Sequence, residues 1–197
     1  MNIPKGPAFA QIEVKKSKFL AYALPISSLS DIKGEIQKAR QEHPDSRHVV
    51  HAAVVGPDGG EFSLSDDGEP KGTSGRPSLE VLKGRDVTNV LVLIVRYFGG
   101  TKLGTGGLVK AYGDAVKAVL EALETEELVE KTDFTVKLSY HDHSPVRLLL
   151  EKEGVEIISE DFAEGVVVKG RCPREILDSL EPRIRDLTRG SGVLTRV

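Results

Sequence analysis

The sequence predicts an α+β protein of two domains. Strand-length runs of alternating or wholly apolar residues interleave with segments whose apolar residues recur at helical spacing. The last third repeats this as strand–helix–strand–strand–helix–strand, the ferredoxin-like βαββαβ plan. Between that rhythm and the less regular first part lies the acidic stretch Glu121 to Glu130, read as a linker. The expected domains are 1–130 and 131–197.

In the first domain, Phe9 to Val14 and Phe19 to Ile26 read as strands joined through Lys15-Lys16-Ser17-Lys18. Ser28 or Ser30 suits the cap of a helix with Ile32, Ile36 and Ala39 on one face, and Pro44 follows its end. Arg47 to Val55 turns from alternating to fully apolar and reads as a strand. Gly56-Pro57-Asp58-Gly59-Gly60 is a turn, and Glu61 to Ser65 its hairpin partner. A loop from Asp66 to Arg76 leads to a short helix with Pro77 at its first position and Leu79 and Leu82 as its apolar residues. Val90 to Val95 is an unbroken aliphatic run, as expected of a strand buried on both faces. Leu108 to Leu123 is a helix whose packed face holds Ala111, Ala115, Val119 and Ala122.

In the second domain, Phe134 to Tyr140 alternates as a strand. Ser144-Pro145 reads as an N-cap and first helical residue, and Gly154 ends that helix. Val155 to Phe162 and Val166 to Cys172 flank a turn at Ala163-Glu164-Gly165. A helix from Pro173 to about Thr188 and a strand from Gly192 to Val197 complete the plan.

The chain has 197 residues and a formal net charge of −3, so it is not a bulk-basic nucleic-acid binder; any such contact requires a local patch. It contains no tryptophan, and its core must rest on Val, Leu and Ile. The lone Cys172 rules out an intrachain disulfide and a thiolate-cluster zinc site, and fits a reducing, cytoplasmic compartment. No apolar run reaches the length of a membrane span, and the N-terminus lacks a signal pattern.

The segment Arg96 to Leu108 is the most informative. Gly99, Gly100, Gly104, Gly106 and Gly107 separate a buried strand from a long helix, with Lys102 among them and Lys110 beyond. A glycine-rich turn at a helix N-terminus presents free N–H groups to an anion. The spacing is neither that of a P-loop nor that of a dinucleotide fingerprint. Lys71, Arg76, Lys83, Arg85, Arg96, Lys102 and Lys110 outnumber the nearby acidic residues, as a phosphate-backbone contact requires. Tyr97, Phe98 and Tyr112 are placed to stack on a base, although one of the first two is expected in the core. The candidate anion- or nucleic-acid-binding residues are therefore Arg96, Tyr97, Gly99, Gly100, Lys102, Gly104, Gly106, Gly107 and Lys110, together with Lys71, Arg76 and His48.

Asp66, Asp67 and Glu69 are candidate ligands for Mg²⁺, or a general base; turn chemistry on a solvated loop explains the same residues. His48 and His51 fall on opposite faces of one strand and cannot share a metal. His141 and His143 have no third ligand nearby. No nucleophile–base arrangement stands out, so no catalytic residue is assigned.

The motifs Ser17-Lys18-Phe19, His43-Pro44-Asp45-Ser46-Arg47-His48, Ser65-Asp66-Asp67-Gly68-Glu69-Pro70, Gly72-Thr73-Ser74-Gly75-Arg76-Pro77 and Val95-Arg96-Tyr97-Phe98-Gly99-Gly100 through Leu108-Val109-Lys110-Ala111-Tyr112 closely resemble those of the IMPACT/YigZ family, across nearly the whole chain. Ser74 and Thr101 stand where alanine and isoleucine are frequent in that family. The resemblance implies an N-terminal domain like ribosomal proteins and elongation factor G domain IV, with a β-sheet and packed helices. It implies a ferredoxin-like C-terminal domain resembling elongation factor G domain V. Eukaryotic relatives regulate translation by competing for the activator of an initiation-factor kinase. They do so with an extra N-terminal interaction domain not expected here, so that partner is not carried over.

The leading functional expectation is a non-enzymatic factor that binds RNA or the ribosome, with no cofactor. A Mg²⁺-dependent enzyme acting on phosphate esters or nucleotides is the alternative, and a protein-docking role for the βαββαβ domain is a third.

Overall fold

The computed structural model describes residues 1–197 and confirms the α+β class. In chain order the elements are β1 (Asn2–Pro4), β2 (Ala8–Val14), β3 (Ser17–Pro25), α1 (Ile32–Glu42), β4 (His48–Val55), β5 (Glu61–Ser65), α2 (Gly75–Lys83), β6 (Val90–Tyr97), α3 (Gly104–Glu121), β7 (Thr125–Glu127), β8 (Lys131–Leu138), α4 (Tyr140–Lys152), β9 (Glu156–Asp161), β10 (Val166–Pro173), α5 (Arg174–Leu187) and β11 (Val193–Arg196). They form two compact units, Met1–Leu128 and Val129–Val197. No helix is long and apolar enough to cross a membrane.

The first unit is built on a five-stranded sheet of order β2-β3-β6-β4-β5, antiparallel throughout. Its central strand is the aliphatic run Val90 to Val95, in which every residue is at most 1% exposed. Alternation splits that run. Val90, Val92 and Ile94 pack with α2 and α3, while Leu91, Leu93 and Val95 pack on the opposite face with Ile32 and Ala39 of α1. Burying each such side chain contributes roughly 1.5–3 kcal/mol, so the sheet is pinned from both sides.

The hairpin between β2 and β3 is tighter than expected. Val14 pairs with Ser17, leaving only Lys15 and Lys16 as the loop, with φ of 47° and 64°. Two positive φ values define the turn whose twist suits a two-residue hairpin. Ser17 and Lys18 thus belong to β3. Ser28 makes a capping box with Asp31 on a 3-10 turn, Leu29–Asp31, that leads into α1.

Other boundaries move for physical reasons. Asp66 accepts hydrogen bonds from the amides of Gly72, Ser74 and Gly75, so α2 starts at Gly75 and Pro77 is its third residue rather than its first. The helix expected from Leu108 begins four residues earlier, at Gly104. Three glycines read as loop therefore lie in its first turn. It ends at Glu121, short of the expected Leu123; Ala122 is exposed, and Leu123 packs into the core beyond the helix. Part of the expected acidic linker is strand: β7 pairs with β1, which the sequence reading missed.

The second unit carries a four-stranded antiparallel sheet of order β11-β8-β10-β9. With helices after its first and third strands, this is the ferredoxin-like arrangement. Ser139, not Ser144, caps α4 by accepting from the Asp142 amide, so Pro145 lies inside the helix.

Two glycines that look alike in sequence differ in their surroundings. A Cβ on Gly99 would stand 2.0 Å from the Lys16 carbonyl carbon, whereas one on Gly106 would meet nothing within 4 Å. Gly99→Ala is expected to destabilise the protein by about 2–3 kcal/mol through overpacking. Gly106→Ala, at an open helical position, is expected to stabilise it by about 0.5–1 kcal/mol. Urea unfolding of the two variants checks both signs.

Candidate anion-binding cleft

Alternation along β6 puts Arg96 on the α2/α3 face and Tyr97 on the α1 face. Arg96 pairs across the sheet with His48 of β4 on one side and Phe19 of β3 on the other. Three side chains at one end of the sheet therefore stand in a row on one face.

Arg96 is 7% exposed and Glu69 8%. The Arg96 Nη1–H donates to Glu69 Oε1 at 2.6 Å, and the Tyr112 hydroxyl donates to the same oxygen at 2.8 Å. Burial, with Glu69 close by, pushes the Tyr112 phenol far above its usual range and keeps it a donor. The Arg96 guanidinium also lies 5.5 Å from the Phe19 ring centre and 5.9 Å from that of Phe98. Its Nε–H is buried and has no partner.

The loop carrying Glu69 is held at several points. Burial pushes the Asp66 carboxyl up, but the Gly72, Ser74 and Gly75 amides and the Ser74 hydroxyl outweigh it and hold Asp66 below its usual range. Asp67 accepts from the Val49 amide and from Arg40. The carbonyl of Asp67 accepts from His48 Nδ1 at 2.8 Å. A carbonyl only accepts, so the proton sits on Nδ1.

These groups border a cleft of about 720 Å³ lined by Asp45, Arg47, His48, Glu69, Pro70, Arg96, Tyr97, Phe98, Lys102, Leu103, Gly104, Thr105 and Leu108. The N-terminus of α3 forms part of its wall. No side chain caps that helix, and Gly104 begins it with φ of +75°. Behind the cleft, Tyr97 and Tyr22 each bond one ring nitrogen of His43 at 2.9 Å.

Of the binding residues expected from the sequence, the cleft brings together Arg96, Tyr97, Lys102, Gly104 and His48. The others lie outside its lining. Gly99 is a point of close backbone approach, and its amide donates to Ser17 Oγ at 3.1 Å. Gly100 makes a turn with φ of +86°, and Gly106 and Gly107 are helical. Lys71 and Lys110 are exposed elsewhere, and Arg76 pairs with Glu80 along α2. The basic run does not fold into one face, since Lys83 covers Phe62 and Arg85 faces Glu121.

Tyr112 is fully buried and cannot stack on a base; Phe98, 55% exposed at the cleft, can. Asp66, Asp67 and Glu69 do not converge as ligands. No group of three His, Cys, Asp or Glu side chains is arranged to hold a metal ion, and each of these carboxylates already serves internal donors. Nor is the loop simply solvated, because Glu69 is buried. Sequence reading missed Asp45, Pro70, Leu103, Thr105 and Leu108 as lining residues and left Arg47 only as the neighbour of His48.

Residues 15–120 match the Impact N-terminal domain, and residues 136–191 match a domain of unknown function (DUF1949). The chain belongs to the IMPACT family. A Haemophilus influenzae IMPACT family member is 41% identical over 166 residues, covering 83% of this chain and 81% of the relative. The Escherichia coli IMPACT family member YigZ is 36% identical over 191 residues, covering 96% and 94%. A crystal structure titled as that of a hypothetical protein is 36% identical, with a TM-score of 0.80 over 100% of this chain and 96% of the other. Every lining residue of the cleft falls inside the matched Impact N-terminal domain.

Removing one partner of a buried ion pair leaves the other charge uncompensated. Glu69→Gln and Arg96→Met are each expected to cost about 3–5 kcal/mol in urea unfolding, and the double variant less than their sum. Asp66 contributes stability above its unfolded pKa, near 4. That contribution is lost as pH falls through its lowered folded value. Asp66→Asn should therefore flatten the acid limb of stability against pH in the range below about pH 4.

Proposed function

We propose that this IMPACT-family protein is a binding factor for RNA, acting in translation in the cytoplasm, and that the cleft of the first unit receives a phosphate. The observation that carries the reading is the buried Arg96, whose Nε–H has no internal partner, beside the uncapped N-terminus of α3. An unpaired buried donor is costly, and a phosphate that enters far enough to reach it removes that cost. Helix-terminal amides favour the same anion. Arg47 and Lys102 at the exposed rim add charge, and Phe98 offers a face on which a base can stack. The resemblance to translation-factor domains agrees with the reading but is only associational. Ribosomal RNA is the natural context, and a protein partner for the βαββαβ unit is compatible with it.

Fluorescence anisotropy with a labelled single-stranded RNA over a range of KCl tests the proposal. About two or three rim and cleft cations should give a slope of log K against log salt near −1.5 to −2. Arg47→Glu with Lys102→Glu changes only exposed side chains and should weaken binding at least tenfold while bringing the slope toward zero. Equal binding by the double variant would remove the cleft from the function.

A further inference from the structure

We infer that His48 selects ribose: its Nε2 accepts a hydrogen bond from a 2′-hydroxyl, so the cleft takes RNA in preference to DNA. This rests on the RNA-binding reading and goes beyond it by naming the group that discriminates.

Three observations place the acceptor. His48 Nδ1 is committed as a donor to the Asp67 carbonyl. The loop backs onto that edge of the ring, so that a Cβ on Gly68 would lie 3.5 Å from Nδ1. The opposite edge carries Nε2, which makes no hydrogen bond within the protein, and His48 lines the cleft. In the neutral ring a protonated Nδ1 leaves Nε2 a pure acceptor.

The surroundings make that acceptor distinctive. Arg96, Lys102 and the first amides of α3 are donors, suited to phosphate oxygens. Glu69 Oε1 already receives two donors from the protein. His48 pairs directly with Arg96 across the sheet, on the same face. Such cross-strand neighbours rise from adjacent points of one face, so the acceptor and the guanidinium serve neighbouring groups of one nucleotide. With a phosphate on the Arg96 side, the sugar edge falls on the His48 side. The 2′-hydroxyl is the group that tells RNA from DNA at a given site.

The test compares three single-stranded oligomers of one sequence, ribo, 2′-deoxy and 2′-fluoro, against the full chain and against His48→Phe. The 2′-fluoro sugar keeps an RNA-like pucker but cannot donate. Expected is a preference of about five- to tenfold for the ribo oligomer over both others, the size of one neutral hydrogen bond. His48→Phe should reduce its affinity to that of the 2′-fluoro oligomer. Equal binding of ribo and 2′-fluoro oligomers by the wild-type chain overturns the inference, as does a preference that survives in His48→Phe. If that variant does not fold, the wild-type comparison alone decides. Binding without discrimination defeats this inference and leaves RNA binding standing. Absence of any RNA binding defeats both.

Discussion

A guanidinium taken almost wholly out of water dominates the first unit. Burying Arg96 is tolerable only because Glu69 meets it, and that pairing ties β6, the loop after β5 and α3 into one arrangement. Desolvation of two charges costs several kcal/mol per ion, and Coulomb attraction offsets it only when geometry and additional hydrogen bonds are good. Here Tyr112 supplies the additional hydrogen bond to the carboxylate. The loop must then be held in place, which accounts for the engagement of Asp66 and Asp67 with main-chain amides. Three carboxylates that look like a ligand set form a chain of support instead. The first two fix the loop, and the third neutralises the arginine.

A buried pair of this kind is weak grounds for stability, since apolar replacements often serve as well. Its role makes more sense as positioning. Only Nη1 of the guanidinium is hydrogen-bonded to Glu69, and the Nε–H is buried without a partner. The same network also orients the histidine, because the backbone of the loop that delivers Glu69 takes the Nδ1 proton of His48. One loop thus orients both Arg96 and His48.

How much of this was legible follows from the range of the interactions. Periodicity is local, and it gave the α+β class, the ferredoxin-like strand order and the central strand with both faces covered. Element ends failed where a distant group decided them. Pro77 looked like a first helical residue until Asp66 capped the helix two positions earlier, and Ser144 lost α4 to Ser139. β1 and β7 each span three residues and mean little until paired. At the cleft, the glycine segment supplies part of the lining but mixes three roles. Gly99 gives way to the Lys16 backbone, Gly104 opens a helix, and Gly106 merely lies within it. Charge counting along the chain misled, because Arg76, Lys83 and Arg85 meet partners that a linear reading cannot see.

The charge balance of the cleft limits what kind of recognition it can perform. Arg47, Arg96 and Lys102 are set against Asp45 and Glu69, so little net field remains to attract a polyanion from a distance. A surface of that kind cannot rely on bulk electrostatics, which the chain's overall charge of −3 opposes. Affinity has to come from close donors held in fixed directions, and Arg96 is the most fixed of these. Its carbon chain is enclosed and its Nη1 is bonded, so the guanidinium stands already oriented. Pre-organised donors lose little rotational freedom on binding. On the proposed reading, a site built this way would favour one phosphate with its attached sugar and base over the diffuse charge of a long duplex.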